Sequence, residues 1–250
     1  MPKYDFRMPR LYVDRPLAAG ATVPFDRGQA NYLANVLRLG EGDELLLFNG
    51  REGEWWSRLA GAKKHLAAEV DSLNRPQPPA GDLYVLFAPL KHARLDYLVQ
   101  KAVEMGASRL VPTITRHTQV ARVNLERMRA NVIEAAQQCG ILNVPEVAAP
   151  VPLAEAIAAA GAGRLLVFCD EEAEVRDPVA ALKVAAAAGC PLALLIGPEG
   201  GFAEEERAAL LRRANTVRLA LGPRILRADT AAVAALTLVQ AVLGDWRGSA

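Results

Sequence analysis

The sequence has little of what would announce a chemistry. Its 250 residues include only three cysteines and three histidines. Cys139, Cys169 and Cys190 are odd in number and show no CxxC spacing, which excludes a disulfide framework and a structural zinc site and leaves buried free thiols as the expectation. His65, His92 and His117 lie far apart with no carboxylate or second histidine at ligand spacing, so no metal is expected. There is no GxSxG elbow for a serine nucleophile. No apolar run approaches the roughly 18 uncharged residues that span a bilayer, and the start MPKYDFRMPRLYV carries no apolar secretory segment. A soluble, cytoplasmic protein with no membrane partner is expected. Charge of one sign is lacking too: 29 Lys and Arg against 28 Asp and Glu leave +1, which excludes a polycation or an acidic tail as the basis of function.

What is present is apolar surface. Hydrophobic residues make up 52% of the chain, enough to fill a sizeable core. The prolines of Asn74-Arg75-Pro76-Gln77-Pro78-Pro79-Ala80-Gly81 favour extended backbone and mark a boundary, giving a first domain over 1–74, a linker over 75–81 and a second domain over 82–250. In the first, apolar stretches at 43–48, 54–59 and 65–73 surround the hairpin signal Asn49-Gly50, and a helical stretch covers 29–37. This half reads as a small β-barrel or sandwich.

In the second domain, short apolar runs at 83–88, 110–115, 164–169, 192–196 and 216–220 alternate with amphipathic stretches at 94–105, 124–139, 153–160, 178–188, 204–213 and 230–243. Strands apolar on both faces and separated by helices predict an α/β fold with a parallel sheet. In the first of these helices Leu95, Leu98, Val99, Ala102 and Met105 form the buried stripe, which places Lys101 and Glu104 three apart on another face as a surface ion pair.

Two Gly-Pro loops carry the chemical interest. Leu194-Leu195-Ile196-Gly197-Pro198-Glu199-Gly200-Gly201-Phe202 leads from a strand towards the acidic helix start Glu204-Glu205-Glu206. In an open α/β sheet, ligands collect at such strand ends. The loop lacks the GxxxxGKS and GxGxxG patterns of phosphate cradles, and Glu199 repels phosphate while suiting hydroxyls, an amine or a sulfonium. Leu219-Ala220-Leu221-Gly222-Pro223-Arg224-Ile225-Leu226-Arg227-Ala228-Asp229-Thr230 is the second, with Asp229 or Thr230 able to cap the next helix and Arg227 at its mouth. Charge is also unevenly placed. Residues 81–130 hold eight cations against four acids, and Arg7, Arg10, Arg15 and Arg38 add basic positions in the first domain, so a basic groove for nucleic acid and solvated helix faces are both open readings.

Taken together, the two late motifs resemble the ribosomal RNA small subunit methyltransferase E family of the SPOUT superfamily. Weaker matches run along the chain at Pro9-Arg10-Leu11-Tyr12, Val36-Leu37-Arg38, Gln100-Lys101-Ala102-Val103-Glu104-Met105-Gly106 and Val144-Pro145-Glu146. The resemblance implies methyl transfer from S-adenosylmethionine to N3 of a uridine in 16S rRNA of the small ribosomal subunit. It also implies a PUA-like β-barrel domain followed by a parallel-sheet methyltransferase domain tied in a trefoil knot, working as a homodimer. The cofactor residues it implies are Leu166, Phe168, Ile196, Gly197, Pro198, Glu199, Gly200, Gly201, Leu219, Leu221, Gly222, Ile225 and Leu226. Uridine N3 is a poor nucleophile until its proton is lost, and Arg227 is the candidate catalytic residue that would stabilise the resulting uracil anion. RNA-facing candidates are Arg7, Arg10, Arg38, Lys91, Arg94, Lys101 and Arg116.

Three positions depart from the family pattern. Asp229 stands where relatives often carry Glu, and Gln137 and Ile141 stand where they commonly carry Glu and Arg. These keep two alternatives open: a SPOUT methyltransferase on another RNA, or a catalytically weakened RNA-binding or assembly protein. The general base, Asp229 or a water, is open as well. A nucleotide-dependent oxidoreductase is disfavoured, because both GxGxxG and its ribose-binding acid are lacking.

Overall fold

Alternating side chains in the first eighty residues build a sheet with one face turned to a core, as strand geometry requires. The computed structural model describes residues 8–61, 65–120, 122–174, 177–185 and 190–247. These form two units, Met1–Ala80 with Ile133–Val144, and Gly81–Val132 with Pro145–Ala250, so the first is made from two separate stretches of chain.

The first unit holds β1 (Arg10–Tyr12), β2 (Thr22–Pro24), β3 (Glu44–Phe48), β4 (Glu54–Ala60) and β5 (Ala67–Arg75), with α1 (Arg27–Asn31) continuing into a π-helical turn at Tyr32–Val36. The sheet order is β1-β3-β4-β5-β2; β1 runs parallel to β3 and the other pairings are antiparallel. Leu45 and Leu47 point into a core with Leu11, Val13, Val23, Leu33, Leu59 and Val70. Phe48 belongs to the alternate face, where the Arg10 guanidinium lies 4.2 Å from its ring centre and Tyr12 meets it edge-on. The Asn49-Gly50 signal marks a real turn, but a longer one than a two-residue hairpin. Asn49 Oδ1 accepts from the Arg51 and Glu52 amides, and β4 begins only at Glu54.

Beneath this face lies a charged cluster. Glu54 is fully buried, accepting from Arg10 Nε at 2.5 Å and Arg75 Nε at 2.7 Å. Arg10 also donates to the Ala136 and Gln137 carbonyls, and Arg75 to that of Gly140. These arginines donate to carbonyls at a helix end, where intrahelical donors run out; that of Ala136 accepts from the Ile141 amide as well.

In the second unit, β6 (Leu83–Phe87), β7 (Arg109–Ile114), β8 (Glu146–Val147), β9 (Val151–Pro152), β10 (Leu165–Cys169), β11 (Leu192–Ile196) and β12 (Thr216–Leu219) are interleaved with helices. The order is β12-β10-β11-β6-β7-β8, with β9 also on β7, and every pairing is parallel, as the doubly apolar runs predict. The helices are α2 (Ala93–Glu104), α3 (Leu125–Gln138), which crosses from one unit's residues to the other's, α4 (Leu153–Ala160), α5 (Pro178–Ala185), α6 (Glu204–Leu211) and α7 (Ala228–Val242). On α2 the buried residues are Leu98, Val99, Ala102 and Val103; the predicted stripe is rotated slightly, leaving Leu95 and Met105 half-buried. The Lys101–Glu104 ion pair forms at 2.7 Å. Gln240 of α7 donates to the Met105 carbonyl at the end of α2.

Of the three thiols, Cys169 is buried, Cys190 is half-buried and Cys139 is exposed, which corrects the expectation that all three are buried. Burial pushes the Cys169 thiol up to about 12, with the Asp170 charge adding to the effect, so no thiolate forms there near neutrality. Among the described residues no helix is long and apolar enough to cross a membrane.

Candidate active site at the strand ends

Three parallel strands in register deliver three loops to one edge of the sheet. Phe168 of β10 pairs with Leu195 of β11, and Cys169 of β10 with Leu219 of β12. The loops therefore start together at Asp170, Gly197 and Ala220, where ligands gather in such folds.

The loop after β11 is locked by packing. The Phe202 ring is buried and meets Phe168 edge-on at 5.0 Å. A Cβ on Gly197 would stand 2.5 Å from that ring, so the missing side chain accommodates Phe202 rather than a ligand. Gly201 turns the chain with φ +67°. Ahead of α6, Glu206 accepts from the amides of Ala203 and Arg116.

His117 clamps the same loop from a turn closed by hydrogen bonding between Thr115 and Thr118. Its Nδ1 lies 3.1 Å from both the Gly200 and Gly201 carbonyl oxygens. Carbonyls only accept, so Nδ1 carries the proton. Sequence reasoning missed this role, because His117 stands more than eighty residues from its partners and no local motif marks it.

The loop after β10 is anchored by Asp170, whose side chain is fully buried against Arg218 at 2.6 Å and Arg207 at 3.3 Å. Arg207 also reaches Glu172 at 2.6 Å. These arginines were not foreseen either; they come from β12 and α6, and only the folded sheet brings them to Asp170.

The third loop, 220–227, contrasts with the other two. A Cβ on Gly222 would meet nothing within 4 Å, and Ile225 is 92% exposed. Arg227 is exposed, adopts extended backbone and immediately precedes α7. Among the described residues its side chain makes no hydrogen bond or ion pair. The helix starts at Ala228, so neither Asp229 nor Thr230 is the cap that the sequence suggested. Asp229 lies within the first turn, where Oδ1 accepts from the Thr230 amide at 3.1 Å.

The candidate cofactor residues therefore divide. Leu166, Phe168, Ile196 and Leu219 are buried strand residues whose side chains belong to the core. Pro198 and Gly201 are buried, Gly197, Leu221 and Leu226 are half-buried, and Glu199, Gly200, Gly222 and Ile225 face solvent. Glu199 pairs with Arg94 at 3.2 Å, both about 40% exposed.

The cation candidates divide as well. Arg7 lies outside the described residues. Arg10 is a correction: its side chain is 2% exposed and locked to Glu54 and backbone carbonyls, so it cannot reach a phosphate. Lys101 is half-buried beside Glu104. Arg38, held at φ +58°, and Lys91 and Arg116 are exposed. Arg109 pairs with Glu146 and Arg94 with Glu199, both acids outside 81–130, so the apparent excess there is partly neutralised. Of the departures from the family pattern, Gln137 Oε1 accepts from the Tyr12 amide, whereas the Arg10 contact at Ile141 is to the backbone carbonyl and does not depend on the side chain.

Residues 76–240 match an RNA methyltransferase domain and residues 25–71 an RNA methyltransferase PUA domain. A Mycobacterium bovis protein named ribosomal RNA small subunit methyltransferase E is 31% identical over 256 residues, covering 96% of this chain and 94% of its own. The chain belongs to the ribosomal RNA small subunit methyltransferase E family. A methyltransferase E from Rickettsia conorii is 28% identical over 235 residues, covering 92% of this chain and 94% of its own. The methyltransferase E from Neisseria gonorrhoeae, solved with S-adenosyl methionine, superposes with a TM-score of 0.81 at 28% identity, covering 96% of this chain and 99% of that one. A Legionella pneumophila protein solved with bound cofactor SAM gives 0.83 at 28% identity, with the same coverage. Membership of the methyltransferase E family accounts for the PUA-like first unit and the parallel-sheet second unit.

Proposed function

We propose that this chain transfers a methyl group from S-adenosylmethionine to N3 of a specific uridine in 16S rRNA of the small ribosomal subunit, acting as a cytoplasmic homodimer. The observation that carries the reading is the convergence of three loops at one sheet edge, two held rigidly and the third ending in an exposed arginine that is unpaired among the described residues. The donor set fits the cofactor. Glu199 offers a carboxylate to an amine or hydroxyl, and Gly222 leaves backbone accessible. The loops lack the pattern of a phosphate cradle. Bound there, S-adenosylmethionine supplies a sulfonium-activated methyl.

The protein's task is the nucleophile. Uridine N3 carries a proton between two carbonyls and attacks poorly until that proton leaves and charge spreads over O2 and O4. Arg227, without a partner among the described residues, stabilises that anion by charge and hydrogen bonding. Asp229 Oδ1 accepts from the Thr230 amide and its carboxylate keeps further acceptor capacity, so Asp229 and a water both stand as the proton acceptor. The exposed Ile225 supports a second copy covering this loop, since an isoleucine in water gains from burial. A trefoil knot in the second unit belongs to the same reading.

Calorimetry with S-adenosylmethionine tests it: saturable binding is expected, and no heat from the folded protein would overturn it. Gly197→Val, which forces the Phe202 ring out of its seat, is expected to weaken that binding at least about tenfold. Circular dichroism should show the fold retained. RNA affinity should fall steeply with salt, with a log–log slope of about −2 if Arg38, Lys91 and Arg116 each meet one phosphate. A titration across salt concentrations measures it.

A further inference from the structure

The first unit carries a cavity of about 610 Å³ that the methyl-transfer chemistry does not use. That volume is in the range of small-ligand sites. One side is formed by Tyr32, at the start of the π-helical turn, and by Leu37 beyond it; π-helical turns occur frequently at functional sites. The Tyr32 ring is 37% exposed, and among the described residues its hydroxyl makes no hydrogen bond. Leu11 adds an apolar surface.

Polar groups of the lining come from α3. Glu134 and Gln137 lie three residues apart, on one helix face. Gln137 Oε1 is held by the Tyr12 amide at 2.8 Å, which fixes the amide while its two Nε2 hydrogens have no partner among the described residues. The exposed Glu134 carboxylate has one weak contact, from Gln138 at 3.4 Å, so its acceptor capacity is largely open. A carboxylate here repels phosphate, so the ligand is not bound through its anionic group. An aromatic face, a paired acceptor and a fixed donor together match a planar heterocycle with adjacent N–H groups and a carbonyl.

We propose that this cavity takes an unstacked guanine base of the RNA: Tyr32 stacks on the ring, Glu134 accepts from N1–H and the N2 amino group, and Gln137 donates to O6. The proposal rests on the RNA-substrate reading above and adds to it a base-specific contact remote from the methyl transfer. Single-stranded RNA is recognised in this way, by splayed bases on aromatic platforms read along their Watson–Crick edges. Arg27 and Arg38 flank lining residues in the chain and are exposed, so backbone phosphates beside the base meet positive charge.

Fluorescence anisotropy with short labelled uridine tracts carrying one guanosine, one inosine or one adenosine tests it. Inosine keeps O6 and N1–H but lacks the amino group. The native chain is expected to bind the guanosine tract about tenfold more tightly than the other two. Glu134→Gln should remove that preference. Tyr32→Ala should weaken all three about tenfold, and Tyr32→Phe should restore them. Equal affinity of the native chain for the three tracts, or an undiminished preference in Glu134→Gln, would overturn it. Calorimetry with S-adenosylmethionine on the same preparations separates the two ideas: cofactor binding without base preference defeats the pocket alone, whereas base preference without cofactor binding defeats the methyltransferase reading and leaves the pocket standing.

Discussion

Arg227→Ala is expected to lower the rate of methyl transfer by about 100- to 1,000-fold, the loss typical when one preorganised donor to a developing anion is removed. S-adenosylmethionine affinity should stay within about twofold. Arg227 is exposed and free of structural partners among the described residues, so its loss leaves the fold intact. Arg227→Lys keeps the charge but loses the planar fork that can donate two hydrogen bonds to a carbonyl oxygen of the uracil anion, and should recover only part of the rate. Single-turnover measurements with saturating cofactor read the chemical step directly. An unchanged rate would remove Arg227 from the chemistry.

Glu54→Ala is expected to destabilise the first unit by about 3–5 kcal/mol, because it leaves the buried Arg10 charge without its counterion. Arg75 loses its contact with the same carboxylate at the same time. Burial by itself raises the Glu54 carboxyl, but hydrogen bonds and charge from Arg75 and Arg10 outweigh it and hold the group below its ordinary value. A lowered folded value means stability that is fully present above the unfolded value, about 4.3, and is lost as pH falls through the folded one. Urea denaturation followed by Trp55 and Trp56 fluorescence should therefore show a midpoint that drops on acidification in the native chain and much less so in Glu54→Gln. The reverse order, with Glu54→Ala as stable as the native chain, would show that the cluster is not stabilising.

The regular parts of the fold were legible because their patterns are local. The run Leu192–Ile196 ends at Gly197-Pro198, and Leu153–Ala160 follows Pro152, so both elements have the bounds expected of them. Strands β1, β2, β8 and β9 were not foreseen: each has two or three residues, too few for a period, and exists because a longer neighbour offers free hydrogen-bonding groups. The site was legible as loops and opaque as contacts. Gly197 announced a close approach, but nothing nearby in sequence said that Phe202 would make it. Arg10 looked like a surface cation because a sequence displays charge without its surroundings. Its partner Glu54 lies 44 residues away and its carbonyl acceptors more than 120.

Incubation of 16S rRNA with the purified chain and methyl-labelled S-adenosylmethionine, followed by nucleoside mass spectrometry and mapping of the modified position, tests the central claim most directly. The account predicts one uridine converted to N3-methyluridine, with conversion lost in Arg227→Ala. Absence of label from the RNA, or label on a ribose hydroxyl or on another base, would contradict it.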